Sequence, residues 1–351
     1  MHINFAIKLA ISRLVTLALV AGCASGASAK PIPSHFPIHF SSNAAIWFHP
    51  VPATSQWPVQ ATSRGGSIDF SSLFDAKSQW PNVTAHTSVF GLYAGWVYAA
   101  SDQQLAAVVT FLNAHNMSIE IESPSLQATT QCGNGVEGYV PQQLTVETFT
   151  LAYLNRLQAL NANVAYVKVD EPFFYGTIPG IPGSCEFPVQ TTATEVSQFS
   201  KIVASVYPNA KVGDVEPIIH QGYTPGTVLE LTEWHEVYAS INGAPFPFFF
   251  ADIDFSYPGW PDLTLMMEQT SHAHGMHFGI IYIGDRLDTS DAEWSAKVVS
   301  RFQRYQGVTK GKPDYVLFQS WEIHPTYCLP ETAPTTFTNT INTFLEETAP
   351  G

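Results

Sequence analysis

Short apolar runs rich in β-branched and aromatic residues alternate along this chain with longer runs of helical period, and the alternation repeats eight times. The strand-like runs are 44–50 (AAIWFHP), 87–93, 117–123, 164–170 (VAYVKVD), 211–217 (KVGDVEP), 246–254 (FPFFFADID), 277–285 (HFGIIYIGD) and 315–321 (YVLFQSW). Near-continuous apolar character marks strands buried on both faces of a parallel sheet. Between them, 101–116, 144–163, 193–210 and 290–307 carry helical period. Each opens at or beside a Ser or Thr, and most end in Asn or Gly, as helix caps require. Strand and helix repeated eight times imply a parallel sheet with helical crossovers, and eight such units close naturally into a single (β/α)8 TIM barrel of the α/β class. The first unit is the thinnest, because residues 51–86 are rich in Pro, Ser and Gln and show little helical period.

The first segment stands outside that pattern. Residues 1–22 carry Lys8 and Arg13, then an apolar stretch, then small residues, the make-up of a secretory signal. Two cleavage sites compete: Val20-Ala21-Gly22-Cys23 has the form of a bacterial lipobox that would make Cys23 a lipidated first residue, and Ala27-Ser28-Ala29 fits an ordinary signal peptidase. Residues 23–43 read as a flexible tether and 44–351 as the barrel. The expected protein is exported, either as an outer-membrane lipoprotein or in a periplasmic or secreted form. It reads as a monomer that meets the membrane only through the lipid. Losing Lys8 and Arg13 takes the formal charge from −14 to −16, which opposes nucleic-acid binding. Export permits disulfides, and Cys132 with Cys185 is the expected pair because their loops follow neighbouring strands; Cys328 is then left over.

Side chains alternate along a strand, so polar residues two apart share a face. The third to sixth strands carry such pairs: Glu120 and Glu122, Lys168 and Asp170, Asp214 and Glu216, Asp252 and Asp254. All lie towards the C-terminal ends, where barrel chemistry resides, and the expectation is that all four pairs converge on one mouth. Gathering carboxylates in a low-dielectric site is unfavourable unless they are paired, protonated or bound to ligand. It is also how two carboxyl pKa values are pushed apart to give an acid and a base.

With this layout the chain resembles the glycoside hydrolase barrels, especially the clan whose fourth strand ends Asn-Glu-Pro; here that position reads Asp170-Glu171-Pro172. The resemblance implies that Glu171 is the general acid/base. It puts the family's strand-7 nucleophile at Asp285, and it matches Ser320-Trp321 to the tryptophan under the reacting sugar. Asp170 departs from the family's Asn. Lys168-Val169-Asp170 with Asp252 or Asp254 also resembles the α-galactosidase-like clan, in which the strand-4 Asp is the nucleophile. The catalytic candidates are therefore Glu171 with Asp285, Glu322, Asp254 or Glu216 as partner. Asp170, Glu122, Lys168, Asp252, Trp96, Tyr175, His220, Tyr257, Trp260, Trp321 and His324 are expected to bind substrate. The reaction implied is hydrolysis of a poly- or oligosaccharide, with retention and without a cofactor or metal.

Two other readings stay open. Glu122, Asp170 and Glu216 could hold a divalent metal through oxygen ligands, a layout resembling the enolase superfamily. A non-catalytic carbohydrate-binding lipoprotein would retain the aromatic residues and tolerate loss of Glu171. His272, His274 and His277 have metal-ligand spacing, but they precede a strand and so fall on the stability face of a barrel.

Overall fold

The computed structural model describes residues 39–53, 65–75, 79–218 and 226–349. The expected signal segment, Cys23, most of the tether, and His220 lie outside the described residues. Eight parallel strands close into a barrel: β1 (Ala45–Pro50), β2 (Thr87–Tyr93), β3 (Ser118–Ser123), β4 (Val164–Asp170), β5 (Lys211–Pro217), β6 (Phe248–Asp252), β7 (His277–Tyr282) and β8 (Tyr315–Ser320). Each strand pairs with its sequence neighbours, and β1 closes the ring against β8 from Ala45↔Tyr315 to Pro50↔Ser320. The (β/α)8 expectation therefore holds.

Helices fill the gaps between strands where the pattern called for them. Ser101 caps the helix Asp102–Ala114 through a capping box with Gln104, and Thr145 caps Val146–Ala159 in the same way with Thr148. The thin first unit holds a 3-10 turn (Phe70–Phe74) and one short helix (Pro81–His86) among its described residues. The end of the expected tether is anchored rather than loose: Phe40 packs on Phe302 and Phe344 at ring distances of 6.3 and 6.1 Å. Among the described residues, no helix is long and apolar enough to cross a membrane.

The barrel floor is aromatic. Trp47 of β1 meets Tyr166, Phe250 and Tyr315 at 4.6, 4.9 and 5.0 Å, and Phe248 closes on Tyr166 at 5.7 Å. So many rings fit because β5 offers Gly213 to the lumen, where a Cβ would lie 2.3 Å from the Phe248 ring. Gly213 also fixes the parity of β5. If residue 213 faces inward, then Asp214 and Glu216 face outward, and their contacts agree: Asp214 accepts hydrogen bonds from Trp234 (2.8 Å) and lies 3.0 Å from His235, both on the helix Gly226–Asn242. The expectation that four polar pairs point into one mouth is therefore corrected for β5, whose pair is buried against the helical layer.

Candidate active site

Above the aromatic floor lies a dry polar layer. His49 of β1 stands 3.1 Å from Glu120 of β3, both fully buried. Lys168 of β4 pairs with Glu122 at 2.6 Å and donates to Gln319 Oε1 at 3.1 Å, and Gln319 donates to Glu122 and to the Tyr93 hydroxyl, each at 2.8 Å. Burial works to raise the Glu122 carboxyl, but Lys168 and then His49 outweigh it and hold it below the usual carboxylate range. Lys168 is correspondingly held above its usual range: burial opposes this, and Glu122 and Glu120 overcome it.

The mouth itself is lined by carboxyls. Asp170 follows the inward parity of Tyr166 and Lys168, and Asp252 that of Phe248 and Phe250. By alternation Glu171 should then face the helices, yet it does not. Its backbone is left-handed (φ 45°, ψ 47°), its N–H bonds to Val215 across the top of β5, and its carboxyl lies close enough to that of Asp252 for each to shift the other's titration. A non-glycine residue in this conformation stores about 1–3 kcal/mol of strain, which is characteristic of functional positions. The helix Pro172–Thr177 starts immediately after it. Glu216 secures that start from the outer side, accepting from the backbone N–H of Phe173 at 2.5 Å and of Phe174 at 3.0 Å.

The mouth carboxyls are poised differently. Burial, then Asp252 and Glu137, push Glu171 well above the usual carboxylate range. Burial, then Glu137 and Glu122, do the same to Asp170. Asp252 is also raised, chiefly by burial, while its interaction with Glu171 restrains it to about 6.

Glu137 was not foreseen from the sequence. It lies in the long loop after β3, which is pinned by the disulfide Cys132–Cys185 and by a short parallel pairing of Leu126–Gln127 with Tyr139–Val140. Its carboxylate accepts from the Tyr175 hydroxyl at 2.8 Å. Although it sits at the solvent-facing rim, loss of solvation together with Glu122 and Asp252 raises its pKa. The one available signal was the expected disulfide itself, which joins this loop to the one after β4.

Several predicted residues stand elsewhere. Asp285 lies beyond the end of β7 and is held 2.9 Å from Lys297 and in contact with Arg301, which keep it ionised below the usual range against the effect of burial. Asp254 lies past β6, exposed, and its carboxylate accepts from the Ser256 N–H at 2.9 Å in a turn. Both strands are shorter than their apolar runs because these turns bend the chain away from the barrel. Glu216, bound to the helix start, is directed away from the mouth, so the metal set of Glu122, Asp170 and Glu216 does not converge. Trp96 is buried against Phe70 at 5.4 Å, because a helix (Ala94–Ala99) follows β2 directly. Trp260 is buried between Phe255 and Tyr305. His324 pairs with Asp291 at 2.5 Å. Glu322 and Trp321 follow β8, both half-buried, and Tyr257 is 40% exposed. On the opposite face, His272 and His277 meet Asp314 at 2.8 and 3.4 Å.

No protein-family model matches the chain, and no curated protein matches it. Among solved structures it is similar to a psychrophilic glycoside hydrolase family 10 endo-β-1,4-xylanase (10% identity over 84% of this chain and 90% of that one, TM-score 0.49). It is also similar to the GH53 catalytic domain of Ignisphaera aggregans (11% identity, 83% and 87% covered, TM-score 0.47). A D-psicose 3-epimerase from Clostridium cellulolyticum H10 stands at 10% identity, 87% and 95% covered, and TM-score 0.42. Hydrolase and epimerase barrels share this degree of likeness, so the reaction is argued from the site alone.

Proposed function

We propose that this chain is a retaining glycoside hydrolase in which Glu171 is the proton donor and Asp252 the nucleophile. The observation that carries this reading is the pair of buried carboxyls at the barrel mouth that shift one another, Asp252 raised to about 6 and Glu171 raised well above the usual carboxylate range. Glycosidic cleavage needs one carboxylic acid to protonate the leaving oxygen and one carboxylate to meet the anomeric carbon. Retention sets the two carboxyls roughly 5–5.5 Å apart and inversion roughly 6.5–9.5 Å, and the strong mutual influence of Glu171 and Asp252 supports the nearer spacing. In the first step Glu171 gives its proton to the glycosidic oxygen as the bond from carbon to that oxygen breaks, and Asp252 forms the ester to the sugar. In the second, Glu171 takes a proton from water, whose oxygen attacks the anomeric carbon and releases Asp252.

In this reading Asp170 and Glu122 accept hydrogen bonds from sugar hydroxyls, and Lys168, paired with Glu122, balances the charge beneath them. Tyr175 and Trp321, both half-buried, and Tyr257, which is exposed, follow the ends of β4, β8 and β6, and they are suited to stack on sugar rings. A poly- or oligosaccharide is the substrate class. The signal-like segment, the lipobox at Cys23 and the disulfide together support export. The test is to screen purified protein against plant and bacterial polysaccharides and compare wild type with Glu171→Gln on every hit. The reading expects reducing ends from the wild type and a loss of about 10²–10⁴ in rate for the variant. Equal release by both would remove Glu171 from the role of acid.

A further inference from the structure

Beneath the mouth, the proposed hydrolysis leaves His49 and Glu120 without a role. Both are fully buried, and although His49 Nδ1 is 3.1 Å from Glu120 Oε2, the two are not aligned for a hydrogen bond. Among the described residues, both ring nitrogens and both carboxylate oxygens lack a hydrogen-bond partner. A carboxylate and an imidazole left unsatisfied in a dry interior are strongly unfavourable, and such groups call for an ion or ligand between them. Glu122 lies two residues further along the same inward face. One ligand atom from each of His49, Glu120 and Glu122 can be chosen so that all lie within 4.8 Å of one another. Ligands at about 2.0–2.2 Å from a single ion sit within about 4.4 Å of each other, so only a small side-chain adjustment separates this set from a coordination shell.

We propose that His49, Glu120 and Glu122 bind a divalent first-row transition ion of the Mn²⁺ or Zn²⁺ class at the base of the mouth. One imidazole nitrogen with carboxylate oxygens suits such ions better than Mg²⁺ or Ca²⁺, which favour oxygen ligands alone. Lys168 is the competing cation, but Lys168 and Gln319 both converge on Glu122 Oε2, so Oε1 is the oxygen the proposal assigns to the ion. The His49 ring is held in place for the role. On one side a Cβ at Gly91 would lie 2.2 Å from it, and the Tyr93 ring packs against it at 4.3 Å. The inference stands apart from the catalytic pair, because it uses neither Glu171 nor Asp252; Glu122, read above as a sugar contact, would instead hold the ion.

The test uses the full-length, tag-free protein, stripped with EDTA, loaded separately with Mn²⁺, Zn²⁺ or Mg²⁺, desalted, and assayed for metal content and melting temperature. Wild type should retain about one Mn²⁺ or Zn²⁺ per chain and melt at a higher temperature with it, as expected when binding is linked to folding. Mg²⁺ should do neither. Glu120→Gln, which preserves shape, and His49→Ala should lose the ion. Should either variant fail to fold, the wild-type measurements decide alone. Wild type that retains under about a tenth of an ion per chain and melts unchanged, or a folded Glu120→Gln that binds as well as wild type, overturns the proposal.

Discussion

Replacing Asp252 by Asn tests how the two central carboxyls are coupled. In the folded protein Asp252 is raised from 3.8 to about 6, chiefly by burial, which at about 1.4 kcal/mol per unit corresponds to roughly 3 kcal/mol of preference for its protonated form. Glu171 stands higher still, and after burial its largest influence is the Asp252 charge. Asn removes that charge and offers an amide N–H that favours the ionised Glu171. A single neighbouring carboxylate commonly accounts for about 1–3 units, so the Glu171 midpoint should fall by that amount in Asp252→Asn. The assay is infrared titration of the protonated-carboxyl band in wild type and variant, with Glu171→Gln identifying which band belongs to Glu171. Turnover should fall by about 10² or more in the same variant, because the nucleophile is gone. A Glu171 midpoint that stays in place or rises would refute the coupling and with it the division of roles.

Three further outcomes follow from the same geometry. Gly213→Ala drives a methyl group into the Phe248 ring, since its Cβ would lie 2.3 Å away; denaturant unfolding should show a loss of about 1–3 kcal/mol, and an unchanged midpoint would mean that the floor is not close-packed there. Removing Cys132–Cys185, which spans 53 residues, should destabilise by up to about 4 kcal/mol on loop-closure grounds and lower turnover by freeing the Glu137 loop; a Cys132→Ser, Cys185→Ser protein equal to wild type in both would contradict this. Asp170, Glu171, Glu216 and Asp252 are all held above the usual range by burial first. A raised folded value contributes stability that is complete below the unfolded pKa near 4 and is lost as pH rises through the folded value, about 6 for Asp252. Thermal melting should therefore be higher at pH 5 than at pH 8, and less so in Asp252→Asn; equal melting points in wild type would contradict the shifts.

The barrel was legible because its determinants are local: eight apolar runs, capped helices and a parallel-sheet composition. The disulfide followed from adjacency of two strand ends. The site was legible only where a residue lay inside a strand of correctly read parity, as with Glu120, Glu122, Lys168, Asp170 and Asp252. Parity failed for β5 because it depends on which residues the lumen can hold, and Gly213 yields that space to Phe248 from the next strand. Asp254 and Asp285 were misplaced because an apolar run does not disclose where a turn ends the strand. The inward turn of Glu171 hangs on one left-handed backbone, which nothing in Asp170-Glu171-Pro172 announces except the proline that starts a helix. Trp96 and Trp260 likewise depended on helices beginning one or two residues earlier than a loop reading allowed.

The most direct test of the account is the dependence of kcat/KM, which reports the first step alone, on leaving group. Aryl glycosides of the sugar found by screening should be cleaved by wild type with little regard to phenol acidity. In kcat/KM, Glu171→Gln should stay near wild type for the most acidic phenols and lose about 10²–10⁴ for the least acidic ones, because only the latter need a proton from the protein; its turnover falls throughout, because the second step has lost its base. A Glu171→Gln enzyme whose kcat/KM falls equally across the whole series, or not at all, would show that the proton comes from elsewhere.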